Sequence, residues 1–168
     1  MPISLDELRR AQPRFRKSSR TLTEAKRLRQ RTAFLCHSHR DRELVEGFVT
    51  LLSEAGCDAY VDWADTEMPQ SPNRVTAQRI KDKIAETDSF LFLATPNSVA
   101  SRWCPWEIGY ADARRGIDRV FVVPTEGNGT VYGNEYLDLY RRIDRAFSTP
   151  LGVFEIGQGT FVGPVANL

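Results

Sequence analysis

Short apolar runs alternate with stretches of helical spacing along most of the chain. TAFLC, residues 32–36, has the length and character of a buried strand. Residues 41–54 then bring Leu44, Val45, Phe48, Val49, Leu51 and Leu52 onto one helical face, and Gly56 is placed to end that helix. CDAYVD, 57–62, reads as a second strand. A helix over 74–86 carries Val75, Ala77, Ile80 and Ile84, and SFLFLAT, 89–95, is a strongly apolar third strand. The spacing predicts a helix over 103–115, a strand over 119–123, a helix over 135–147 with Leu137, Leu139, Tyr140 and Ile143, and a strand over 153–156. Between these lie polar loops at 37–40 and 96–102 and a glycine-rich loop at 126–134. The loop over 63–73 holds Pro69 and Pro72, and loops of that length in compact domains commonly carry function. The glycine-rich tail offers an edge hairpin.

Apolar strands alternating with amphipathic helices predict an α/β fold: a flavodoxin-like three-layer sandwich, with a five-stranded parallel sheet and helices on both faces. Such sheets bind ligands beyond the carboxyl ends of their strands. Here those ends are residues 36–40, 62–63, 95–97 and 124–126. Neither GxGxxG nor GxxxxGK[ST] occurs, which removes the main support for a dinucleotide-Rossmann or P-loop reading. Ahead of the first strand, Ser4-Leu5-Asp6-Glu7 and Thr21-Leu22-Thr23-Glu24 each fit a capping box, predicting helices over 4–11 and from 21 to about 30. Pro13 stops the first of them. The reading divides the chain into a basic helical N-terminal extension, 1–31, and a main domain, 32–168.

Charge sharpens that division. The whole chain has a net charge of +1, but residues 1–31 carry ten Lys or Arg against three acids, +7, and the remainder stands at −6. The arginines of the extension sit among helix-start signals rather than among aromatics, so nucleic acid is not expected as a partner. No apolar run reaches the roughly 18 residues of a membrane helix, and no signal-peptide pattern opens the chain. Three cysteines, Cys36, Cys57 and Cys104, without a CxxC pair fit a reducing cytoplasm better than a disulfide framework.

Three stretches resemble one family in order and spacing. AFLCHSHRD resembles the first box of Toll/interleukin-1 receptor (TIR) domains, F-I-S-H-S-x-x-D. AYVD with its proline-bearing loop resembles the second strand and BB loop of that family. ATPNSVASRWCPWEIGYA resembles the third strand and the W-x-x-x-E helix of TIR domains that cleave NAD+. The resemblance spans about residues 32–156. It is closest in pattern to bacterial antiviral-defence members, such as the signal-producing subunit of Thoeris-type systems. DWADTEMPQSP departs from the common BB-loop pattern in lacking its glycine, and Trp63 stands where an acid or aliphatic residue is usual.

The resemblance implies an NAD+ glycohydrolase or ADP-ribosyl cyclase with Glu107 as the catalytic carboxylate and NAD+ as substrate, without a cofactor. Nicotinamide leaves as a neutral group, so one carboxylate suffices to steady an oxocarbenium-like transition state. Trp103 lies at i−4 from Glu107, with Tyr110 and Ala111 continuing the face. His37, Ser38 and Arg40 precede a helix N-terminus suited to a pyrophosphate. Phe34, Asp62 and Trp63 complete the expected substrate-binding set, although core packing also accounts for Phe34 and loop pinning for Asp62. No metal is expected: His37 and His39 fall on the opposite face from Cys36, and two imidazoles are too few for zinc. Expected partners are NAD+, further copies of the domain through TIR–TIR contacts, and a separate effector protein that senses the product. Two other classes stay open: a non-catalytic TIR adaptor that assembles through its loops, and a nucleoside deoxyribosyltransferase-like enzyme with Glu107 as nucleophile.

Overall fold

The computed structural model describes the whole chain except Ser19, residues 64–72, Leu137, residues 148–149 and Gln158. The expected BB loop falls largely outside the described residues. Strand β1 (Ile3–Ser4) leads into helix α1 (Leu5–Ala11), and α2 (Leu22–Arg27) precedes β2 (Thr32–Cys36). There follow α3 (Arg42–Glu54), β3 (Tyr60–Asp62), α4 (Arg74–Glu86), β4 (Ser89–Ala94), α5 (Pro96–Val99) and α6 (Cys104–Arg115). The last part is strand-rich: β5 (Val120–Gly127), β6 (Thr130–Tyr132), β7 (Arg141–Asp144), β8 (Gly152–Phe154) and β9 (Phe161–Pro164).

The sheet runs β3-β2-β4-β5-β7-β8-β9, with β1 and β6 both paired to the far end of β5. Pairings from β3 to β7 are parallel, and those of β7 with β8 and of β8 with β9 are antiparallel. The α/β class stands, but the sheet has nine strands and is mixed, where the sequence pattern predicts five parallel ones. Every residue of β2 and β4 is buried, because helices cover both faces. Ala33, Leu35, Leu91 and Leu93 face α1 and α3, and Phe34, Cys36, Phe90 and Phe92 face α4 and α6. No described helix is long and apolar enough to cross a membrane.

Four local expectations need correction. The helix expected over 135–147 does not form among the described residues: a 3-10 turn, Asn134–Tyr136, precedes strand β7. Its apolar spacing is overridden because β7 fills the open edge beside β5, pairing Phe121 with Arg141 and Val122 with Arg142. The loop expected over 126–134 is a hairpin, with Asn128 and Gly129 at φ 52° and 74° in the positive-φ turn that Asn-Gly favours. The loop expected over 96–102 begins as α5, capped by Thr95, whose side chain accepts from the Ser98 N–H. At the N-terminus the Thr21–Glu24 capping box forms, but the first one does not close. Ser4 instead accepts from the Asp6 N–H at 3.2 Å, and Glu7 pairs with Arg145 of the sheet, whose Nε lies 3.2 Å away.

The first residues share the main core. Ile3 and Leu8 are fully buried, and Leu5 and Ala11 nearly so, in the cluster that α3 and the sheet build. Gly47 makes this packing close: a Cβ there would lie 2.0 Å from the Leu8 carbonyl oxygen.

Candidate active site

Because β2 lies between β3 and β4, the chain leaves β2 towards one side and β4 towards the other. Their carboxyl ends therefore part and leave a crevice. Cys36 closes β2 at this crevice, Thr95 follows β4, and α6 starts beside them. The α6 N-terminus is prepared by Ser101, whose Oγ accepts from the Trp103 N–H at 3.1 Å and the Cys104 N–H at 3.4 Å. Pro105 sits in the first turn, where a missing N–H is no loss.

Helical periodicity turns Cys104, Glu107, Ile108 and Ala111 inward, all buried. Glu107 is only 4% exposed. Loss of water pushes its carboxyl up to about 7, and the Cys36 thiol, donating to the carboxylate, acts in the opposite direction. No cation is paired with it among the described residues. Cys36 is itself driven well above the usual thiol range, first by burial and then by Cys104 and Glu107. An acid and two thiols thus lie together, buried, at a helix N-terminus. The phenol of Tyr136 is also raised, by burial, then Glu135, then the two thiols, and its ring meets Phe92 edge-on at 5.4 Å.

The aromatics of α6 form a row beside this wall rather than over it. Trp103 meets Trp106 edge-on at 5.6 Å, and Trp106 stacks on Tyr110 at 6.2 Å beneath the Lys81 ammonium. Of the expected stripe, Ala111 shares the buried face of Glu107, whereas Trp103 and Tyr110 flank it, half-buried.

The rim is held by a buried clasp. Asp41, 3% exposed, accepts from the Thr95 hydroxyl at 2.5 Å and from the Asn97 amide at 2.6 Å. Ser98 donates to the Leu93 carbonyl at 2.7 Å. Asp41 is the residue before α3, but its side chain makes no cap bond, and Ser38 does the local capping through the Arg40 N–H at 3.4 Å.

The other expected residues divide between the two faces of the sheet. Phe34 lies on the Glu107 side but inside the core, stacked on Phe90 at 5.7 Å. His37 stands on the other side, its Nδ1 2.9 Å from the Leu35 carbonyl and its ring 6.3 Å from Trp63. Trp63 also meets Phe15 of the N-terminal segment at 5.7 Å. Asp62 is buried against Lys83 of α4 at 3.1 Å, and Arg40 is exposed. Sequence reasoning missed Cys36, Cys104, Asp41, Thr95 and Tyr136 as parts of the site. Asp41 and Thr95 carried a signal: Asp41 closes the F-I-S-H-S-x-x-D box, and Thr-Pro-Asn-Ser is a helix-start pattern. The thiols and the phenol come together only through the sheet order.

The family model of the TIR domain matches residues 33–149, from β2 to just beyond β7. The chain belongs to the TIR domain family. This TIR protein is 31% identical over 110 residues to ThsB' of Bacillus cereus (strain MSX-D12), named as a probable 3' cyclic ADP-D-ribose synthase. The match covers 64% of this chain and 57% of that protein. It is 24% identical over 81 residues, 46% of this chain, to TIR2 of Cytobacillus dafuensis, whose name gives a candidate cyclic ADP-D-ribose synthase. There the match covers 21% of the relative, so this chain spans little more than half of the first relative and a smaller part of the second.

Proposed function

We propose that this TIR protein cleaves the nicotinamide–ribose bond of NAD+ and converts the ADP-ribosyl group into a cyclic or related ADP-ribose signal. The observation that carries the reading is Glu107, a buried carboxyl without a paired cation among the described residues, at a helix N-terminus beyond the strand ends. The names of both relatives support it.

In the reaction the electrons of the C–N bond pass to the pyridinium nitrogen, so nicotinamide departs neutral and positive charge is left on the ribose. An anion beside that carbon lowers the barrier, and its effect grows as the charge develops. Burial leaves Glu107 poised between its two protonation states near pH 7. The cationic nicotinamide riboside of the substrate favours the carboxylate, so binding itself releases the proton. Attack on the ribosyl carbon by a nucleophile of the same ADP-ribosyl group closes a ring, and attack by water gives linear ADP-ribose. The burial around Glu107 favours the first path by limiting water. His37, Ser38, Arg40 and Trp103 are assigned to substrate binding, with Phe34 and Asp62 behind them, and Trp63, which packs against Phe15 of the N-terminal segment, is left out of that set. The fuller reading is a cytoplasmic signal producer in antiphage defence that acts on assembly with its own copies and whose product is sensed by a separate effector.

The test is Glu107→Gln, which keeps shape and removes charge. Nicotinamide release from NAD+, followed by mass spectrometry, should fall by roughly a hundredfold or more. A cyclic product is lighter than linear ADP-ribose by one water. Wild-type protein that binds NAD+ when concentrated yet leaves it intact would sink the proposal.

A further inference from the structure

We propose that the seam between the N-terminal segment and the β3 edge is a second ligand site, built for a nucleotide with two or more phosphates. A cavity of about 490 Å³ lies there, within the range of small-molecule sites and large enough for one nucleotide. It lies away from Glu107. Its walls come from residues 15–18 and 20, from α3 and from the β3 edge, and α3 packs on the sheet face opposite α6.

Two kinds of side chain meet in this cavity. Phe15, Tyr60 and Trp63 supply aromatic surface on which a base can lie. Arg16, Lys17, Arg20 and Arg42 supply positive charge. The only acid among the described lining residues is Asp58, which already accepts from Gln30 at 3.2 Å. Arg16 and Lys17 have no carboxylate partner among the described residues, and Arg20 bonds only the neutral Gln30, at 3.1 Å. Elsewhere in the same segment Arg9 and Arg14 are spent on Asp6 and Glu54. Three cations without a carboxylate partner among the described residues, beside one occupied acid, make a field that an anion would relieve. Guanidinium groups bind phosphate oxygens in pairs, which suits a diphosphate better than a single carboxylate. Both a base and phosphates are needed to use the whole cavity, and this selects a nucleotide over inorganic phosphate. The assignment does not depend on the reaction proposed for Glu107.

The probe is ADP, added to the full chain in a calorimetric titration beside adenosine and inorganic pyrophosphate. ADP should bind more tightly than either part. The double variant Arg16→Glu/Arg20→Glu breaks no ion pair among the described residues, and it should weaken ADP binding by roughly tenfold or more. A second reading follows the cavity wall directly. In Trp103→Phe/Trp106→Phe protein, Trp63 is the remaining tryptophan, and ADP should change its fluorescence. Undiminished ADP binding by the double variant would overturn the proposal, since the nucleotide would then sit elsewhere. So would pyrophosphate binding as tight as that of ADP, a single-stranded oligonucleotide binding more tightly than ADP, or a silent Trp63.

Discussion

Glu107 is an acid that the fold holds out of water with a thiol as its donor, and this leaves a mark on stability as well as on catalysis. Its ordinary value is 4.5, and in the folded protein it titrates at about 7. Between these values the folded state binds the proton more strongly than the unfolded one. Its favourable contribution is therefore complete below about pH 4.5 and is lost as the pH rises through 7. Glu107→Gln should stabilise the protein at pH 8 by about 3 kcal/mol and leave it nearly unchanged at pH 4, read from urea unfolding at the two pH values. On the proposed reaction, kcat/KM for NAD+ should rise with pH through about 7, and the rise in kcat should lie at lower pH, because bound substrate favours the carboxylate. Equal stability effects at both pH values would show that the carboxyl is not buried as described. The identity of this residue was legible in WCPWE. Its surroundings were not, because Cys36 stands 71 positions earlier in the chain and meets Glu107 only once β2 and α6 pack.

At the scale of elements, two helical glycines make a contrast that spacing alone does not reveal. Gly109 lies within α6, and a Cβ added there would meet nothing within 4 Å, so Gly109→Ala should raise stability by about 0.5–1 kcal/mol. Gly47 lies within α3 under the α1 backbone, and Gly47→Ala should lower stability by about 3 kcal/mol or separate the two helices. Thermal melting of the two variants checks both signs. Elements with strong periodicity were legible: β2, β4, α3, α4 and α6 stand within a few residues of their expected places. The segment after residue 134 was not. Tyr140 and Ile143 fit a helix face as well as they fit an extended segment running into β7, and only the vacant edge of β5 decides between them.

At the scale of the molecule, the basic N-terminal segment is also a structural part. Its β1 pairs with β5, and Ile3, Leu5, Leu8 and Ala11 fill the core beside α3. Burying four such side chains contributes more than about 5 kcal/mol, comparable with the whole stability of a domain this size. A chain beginning at Thr32 should therefore lose its cooperative melting transition, followed by circular dichroism. A sharp melt in that chain would show that residues 1–31 are dispensable for folding. The charge count drew attention to the cations of this segment but not to the apolar residues between them, which are few and spaced over a short helix.

The clasp at the rim has a consequence in time. Its bonds from Thr95 and Asn97 to Asp41 join residues 54 and 56 positions apart, and the β2–β4 ladder spans the same separation, so the clasp is expected to close once that ladder holds the two ends together. Contacts that form after the folding barrier change the unfolding rate and not the refolding rate. Thr95→Val should accordingly speed unfolding and leave the refolding rate almost untouched in stopped-flow chevrons. That outcome would make the rim of the crevice a late-forming and early-opening part of the molecule. Its residence time, rather than the depth of the core, would then set how long each molecule keeps a working site.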